Sequence, residues 1–157
     1  MSMPQVGQPA PDFELPNEKG EIVRLSDKRG QPVILFFYPK DDTPGCTAEV
    51  CNLRDDYSQF RQAGIVLLGI SADPVKSHAK FQRKYSLPFS LLADVDTEVC
   101  QAYGVWVTKK LFGREYMGIA RTTFAIDAQG VISHVFEGVD PEIHSRELLT
   151  SLGAATG

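Results

Sequence analysis

The sequence holds no group of basic residues larger than a pair such as Lys109–Lys110, and its formal net charge is −4. A nucleic-acid-binding domain carries a basic stripe, so no nucleic-acid partner is expected. Long apolar runs are missing too: the longest, Val33 to Tyr38, is far too short to cross a bilayer, and no membrane association is expected. The opening residues, MSMPQVGQPAPDF, lack both the basic and the apolar regions of a secretory signal, which makes the cytoplasm the expected location. Cysteine is scarce. Cys46, Cys51 and Cys100 are an odd number for a disulfide scaffold, and stable structural disulfides are rare in a reducing compartment. Neither C-x2-C nor H-x3-H occurs, and His78, His134 and His144 cluster with no cysteine, so no metal site is expected.

What remains is an ordinary globular chain of 157 residues, 43% hydrophobic and 23% charged, a balance that fits neither disorder nor a membrane protein. Repeats, low-complexity tracts and Pro/Ser-rich linkers are absent, which predicts one domain spanning residues 1–157. The first twenty residues are turn-rich and should wrap over the surface, and Ile22 to Leu25 alternates like a short edge strand. Gln31 to Tyr38 is apolar on both faces, as a central strand covered by helices must be. Helical spacing of Val50, Leu53, Tyr57 and Phe60 predicts one helix from Pro44 to Ala63, closed by Gly64. Ile65 to Ile70 reads as a second buried strand. Pro74 to Tyr85 reads as a helix capped by Asp73. A short extended piece at Phe89 to Leu92, a short helix from Asp96 to Tyr103, a hairpin of Thr122–Ile126 with Val131–Phe136, and a helix from about Pro141 to Leu152 complete the pattern. Strands alternating with helices and then a hairpin predict an α/β layer sandwich with a mixed sheet.

The segment joining the central strand to the first long helix carries the candidate site. Thr43 and Pro44 read as N-cap and first helical residue, which places Gly45 next and Cys46 inside the first turn. Backbone N–H groups there lack intrahelical acceptors and the helix dipole is positive at this end. Both effects favour thiolate over thiol, the nucleophilic form. Gly45 leaves room for a small substrate to approach the backbone. The spacing of Cys51 fits a core filler and a resolving thiol equally. Cys100, beside Val99 and Tyr103, reads as core packing. Arg121 enters an apolar strand, where a cation needs a charged partner.

Tyr38-Pro39-Lys40, then Thr43-Pro44-Gly45-Cys46-Thr47 with Cys51 after it, closely resembles the peroxiredoxins of the bacterioferritin comigratory protein class, also called peroxiredoxin Q. The resemblance extends through Pro11-Asp12-Phe13, Leu68-Gly69-Ile70-Ser71, Tyr103-Gly104-Val105 and Gly118-Ile119-x-Arg121. It implies a thioredoxin-like α/β/α sandwich with a central mixed β-sheet, a monomer, no cofactor, and reduction of hydroperoxides at the expense of thioredoxin or a similar dithiol. On this resemblance Cys46 is the peroxidatic residue, Cys51 the resolving one, and Thr43, Arg121 and Pro39 complete the catalytic set. Glu49 stands where the wider family often has an acidic residue that holds the arginine. The competing readings are a thiol–disulfide oxidoreductase, which would use C-x-x-C rather than C-x4-C, and a non-enzymatic redox sensor or chaperone. Helix geometry adds one expectation. Five residues apart on one regular helix, Cys46 and Cys51 would have Cα atoms roughly 8.7 Å apart. A disulfide needs them within about 7 Å. Either the two are not both helical, or the first turns unwind before they join.

Overall fold

The strand β3 (Val33–Phe37) is buried along its whole length. Its alternation divides the core in two: Val33, Leu35 and Phe37 face one apolar cluster, while Ile34, Phe36 and then Tyr38 face the other. The computed structural model describes residues 3–142 and 144–152. In it β3 is the middle strand of a five-stranded mixed sheet. β4 (Val66–Ser71) runs parallel to it on one side, followed by β5 (Ser90–Ala93). On the other side β8 (Thr122–Ile126) runs antiparallel to β3, and β9 (Ile132–Glu137) antiparallel to β8. Gly69 in β4 has a packing reason, because a Cβ there would stand 2.6 Å from the Phe36 ring.

One face of the sheet is covered by α1 (Pro44–Asp55), α2 (Tyr57–Gln62), α3 (Val75–Tyr85) and α5 (His144–Ser151), which contribute Val50, Leu53, Phe60, Phe81, Leu148 and Leu149. The other face takes α4 (Glu98–Ala102), through Val99 and Cys100, together with Phe13, Leu25 and Tyr103. Phe36, Phe60, Phe81 and Phe124 are at most 2% exposed, and each burial contributes roughly 1.5–3 kcal/mol. This is the mixed-sheet layer sandwich that the alternation of strands and helices predicted, in the thioredoxin-like form that the family resemblance implied. Cys100 lies fully buried in the core, where the sequence placed it.

Several elements differ from expectation. The predicted helix 44–63 is two helices, broken at Asp56, which ends α1 and precedes α2. Apolar periodicity ran across the break and hid it. α3 begins one residue later than expected, with Pro74 as its N-cap. The Asp73 carboxylate does not cap it, because it accepts hydrogen bonds from Ser71 Oγ and the Asp41 N–H instead. The turn-rich start contributes β1 (Glu14–Pro16), paired with β2 (Ile22–Arg24). The region between Gly104 and Arg121 forms a hairpin that the sequence reading did not contain, β6 (Trp106–Leu111) with β7 (Arg114–Ile119). Its turn holds Phe112 and Gly113 at φ of +52° and +77°. Position 143 of the expected C-terminal helix lies outside the described residues.

Candidate active site

Three elements converge at the C-terminal end of β3. Antiparallel pairing sets Phe37 opposite Thr122, so Arg121, one residue before β8, stands level with Tyr38, one residue after β3. The chain then crosses Pro39 to Thr43 and enters α1. Thr43 is extended (φ −94°, ψ 156°), as a residue preceding proline must be, and Pro44 opens the helix where its missing N–H costs nothing. The hydroxyl of Thr43 does not cap the helix; it donates to the Lys40 carbonyl at 2.9 Å.

Cys46 follows one turn inside the helix and is fully buried against the cluster that includes Tyr38 and Val50. Glu49 is three residues further on the same face. Between them lies the Arg121 guanidinium. Its Nη1 donates to Glu49 Oε1 at 2.6 Å and its Nη2 to Cys46 Sγ at 3.3 Å. One planar fork thus spans a carboxylate and a sulfur, with the carboxylate fixing its orientation. Gly45 makes this possible. A Cβ on it would lie 3.1 Å from Arg121 Nη2, so the space the sequence suggested for substrate is where the arginine rests.

Burial pushes the Glu49 carboxyl up to about 7, against the pull of Arg121. Its second oxygen, Oε2, has no hydrogen-bond partner among the described residues. Arg121 is shifted up: burial opposes its charge, but the charges of Glu49 and Cys46 outweigh burial. The two shifts describe one contact, and the short fixed distance shows that the attraction is real even though desolvation of the carboxyl is larger.

Cys51 lies on α1 as well, half-buried, and burial raises its thiol, with Arg54 opposing. Cys46, Cys51 and Cys100 are all free thiols. The structure therefore brings Arg121 onto the Cys46 sulfur with Gly45 and Glu49 on either side of the guanidinium, sets Thr43 at the start of the same helix and Pro39 in the loop that leads to it, and puts Cys51 further along that helix. Cys100 lies in the cluster on the opposite face of the sheet.

Pro39 and Thr43 also border a groove of about 710 Å³, whose other wall is the β6–β7 hairpin with Trp106, Lys109, Tyr116 and Met117. Burial and the Arg121 charge hold the Lys109 ammonium below its ordinary range, while the Cys46 charge pulls the other way. The sequence reading missed this wall entirely. The alternation of apolar residues from Trp106 to Leu111 is broken by Thr108, Lys109 and Lys110, which left no strand signal to read.

The sequence model of the AhpC/TSA family matches residues 6–135. A Coxiella burnetii protein carrying the name peroxiredoxin bcp is 55% identical over 148 residues, covering 94% of this chain and 98% of that protein. A mutant of Xylella fastidiosa PrxQ superposes with a TM-score of 0.92 at 32% identity, over the full length of both chains. The Xanthomonas campestris bacterioferritin comigratory protein, solved for insight into its alkyl peroxide reduction activity, superposes with a TM-score of 0.89 at 32% identity, covering 96% of this chain and 98% of that one. A thiol buried against a fixed guanidinium at a helix start, on this fold and with these relatives, places the chain in the AhpC/TSA family as a thiol-dependent peroxidase of the Bcp/peroxiredoxin Q type.

Proposed function

We propose that Cys46 reduces hydrogen peroxide and organic hydroperoxides and is regenerated through a Cys46–Cys51 disulfide that thioredoxin or a similar dithiol reopens. The observation that carries this is the contact of Arg121 Nη2 with Cys46 Sγ at 3.3 Å while Nη1 is held by Glu49. A guanidinium fixed in this way donates to the sulfur and presents further donors where peroxide oxygens arrive. The thiolate attacks one oxygen of the O–O bond. The S–O bond forms as the O–O bond breaks, and the other oxygen leaves as water or an alcohol after taking a proton. Preorganised donors aimed at that leaving charge supply the larger part of the rate, because nucleophilicity falls as thiolate character becomes easier to reach. With its own proton directed to the Lys40 carbonyl, the Thr43 hydroxyl offers lone pairs to the peroxide O–H. Pro39, without an N–H, shields one side from water. Gly45 and Glu49 support the arginine.

Cys46 is then a sulfenic acid, the reversible first rung of cysteine oxidation. Condensation with the Cys51 thiol releases water and forms the disulfide. Both cysteines lie on the continuous helix α1, so this step needs the first turns to unwind. Pro44 and Gly45 favour unwinding at that end, and the opened disulfide becomes accessible to an external dithiol. The apolar wall of the neighbouring groove supports organic hydroperoxides as substrates, as does the alkyl peroxide activity of the Xanthomonas campestris protein. We read the chain as a cytoplasmic monomer of one domain, working without cofactor or nucleic acid. Among the described residues no helix is long and apolar enough to cross a membrane.

Peroxide-dependent oxidation of thioredoxin, with its reductase, tests the reading. Wild type should consume many equivalents of peroxide, Cys46→Ser none, and Cys51→Ser should stall after the first oxidation. Near-normal turnover by Cys46→Ser would sink the assignment, and wild type stopping after one equivalent would point to a sensor. Hydrogen exchange tests the unwinding: amides from about Cys46 to Arg54 should lose protection in the disulfide form. Equal protection in a form proven to hold that bond would overturn it.

A further inference from the structure

We infer that Asp41 and His78 form a buried carboxylate–imidazolium pair that fixes the loop bearing Thr43, and that both are positioning residues for the attack on peroxide. The inference rests on the peroxidase reading above.

His78, in the first turns of α3, is fully buried. Its Nε2 is 2.9 Å from the carbonyl oxygen of Leu92 on β5, and its Nδ1 is 2.7 Å from Asp41 Oδ2. A carbonyl oxygen carries no proton, so Nε2 must donate. A neutral ring would then turn the lone pair of Nδ1 toward a carboxylate oxygen at 2.7 Å, a repulsive contact between two buried groups. One further proton must sit between the two groups. The Asp41 carboxylate already accepts from Tyr38 OH at 2.7 Å and from Ser77 Oγ at 2.7 Å. Two hydroxyl donors converging on it favour its charged form, which assigns the proton to the imidazole. Burial, and after it the charge of Asp41, push the Tyr38 phenol well up, so it remains a donor.

The groups facing this pair come from every surrounding element. Tyr38 follows β3, Asp41 lies in the loop, Asp73 in the turn before α3, Ser77 on α3, and the Leu92 carbonyl on β5. Asp73 Oδ2 accepts the Asp41 N–H at 2.9 Å and the Ser71 hydroxyl at 2.7 Å. Asp41, Asp73 and His78 offer ligand atoms within 4.8 Å of one another, the grouping a cation could use. The hydroxyls of Tyr38, Ser71 and Ser77 aimed at the carboxylates make it a hydrogen-bonded network instead.

Its mechanical consequence follows from where Asp41 sits. Asp41 is two residues past Pro39 and two before Thr43, and its side chain and backbone N–H are both tied down. Asp42 is held at a φ of +58°, with its carboxylate on Lys84 at 2.8 Å and Tyr85 OH at 3.0 Å, at the far end of α3. That second grip is solvent-exposed and contributes little. The buried one sets where Thr43 enters α1, and hence where the Thr43 hydroxyl and Pro39 stand relative to Cys46.

The test uses the reduced full chain labelled with nitrogen-15. Near neutral pH, His78 should show protons on both ring nitrogens; a single protonated nitrogen overturns the ion pair. Stopped-flow oxidation of Cys46 by hydrogen peroxide then compares wild type with His78→Gln. The second-order rate should fall roughly tenfold or more, since displacement of a positioning group costs rate steeply. Alkylation of Cys46 by iodoacetamide should keep its pH profile, because Arg121 and Glu49 are untouched. A folded His78→Gln protein oxidised at the wild-type rate overturns the positioning role. If that variant fails to fold, Asp41→Asn decides. Its carboxamide can donate to Nδ1, so the fold should persist while His78 becomes neutral, and an imidazolium that persists in this variant overturns the assignment. Failure of wild type to react with peroxide would sink the peroxidase reading itself, which separates the two.

Discussion

The guanidinium of Arg121 rests against the backbone of Gly45, with Nη2 3.1 Å from the point where a Cβ would be. Stability and activity should therefore separate in Gly45→Ala. Alanine in a helix is favoured over glycine by about 0.5–1 kcal/mol, so the variant should melt no lower than wild type. Its methyl displaces the arginine, and peroxide oxidation of Cys46 should slow on the order of tenfold. Calorimetry beside stopped-flow kinetics reads both, and an unimpaired rate would mean that the arginine tolerates the shift.

Arg121→Ala should slow the oxidation of Cys46 on the order of 100-fold, the scale of losing a preorganised donor. Arg121→Lys should recover part of it, because a point charge remains while the fork linking Glu49 to the sulfur is gone. Single-turnover kinetics with hydrogen peroxide measure both, and equal rates for lysine and arginine would remove the fork from the mechanism.

Glu49 makes a prediction about pH. Burial pushes its carboxyl up to about 7 in the folded chain, against an ordinary value of 4.5 and the pull of Arg121. Between those values the folded state binds the proton and the unfolded state does not. Stability contributed by this group is complete below about pH 4.5 and is lost as pH rises through about 7. Denaturant unfolding of the reduced protein at pH 5 and pH 8 should show Glu49→Gln gaining on wild type at the higher pH. A constant difference between the two proteins would contradict the burial argument.

Cys100→Ser should leave turnover unchanged. The thiol is buried on the far side of the sheet, and burial together with Asp94 drives it far above the range in which it could react. A buried hydroxyl costs about 1 kcal/mol, the low end of its range, because Asp94 is placed to accept from it. Thermal unfolding alongside thioredoxin-coupled turnover checks this, and a large loss of turnover in a folded variant would put the resolving thiol at Cys100.

The site was legible where its chemistry is local. Pro39 through Cys51 is one uninterrupted stretch, and the turn-to-helix junction at Thr43–Pro44 placed Cys46 in the first turn from spacing alone. The central strand was legible because nothing but a doubly covered strand explains Val33 to Tyr38. Contacts across the sequence were not. Arg121 called for a charged partner, but no periodicity could say that Glu49, 72 residues earlier, would supply it; only the family resemblance pointed to that pair. His78 looked like any helix residue, because its partner Asp41 lies in a loop whose inward turn depends on Ser77 and Tyr38. The β6–β7 hairpin escaped because Phe112 occupies a left-handed turn position usually given to asparagine or glycine, and because its strands have no consistently buried face.

Asn52, the residue after Cys51, reaches out of α1 and donates from Nδ2 to the Glu142 carbonyl at 3.0 Å and more weakly to that of Pro141 at 3.3 Å. The helix is thus stapled to the segment before α5 one position beyond the second cysteine. In the proposed disulfide step the chain between Pro44 and Cys51 would be the slack that is let out, with Asn52 as the belay point. The rest of α1, with Leu53 in the core, would then keep its seat and serve as the template on which the released turns rewind.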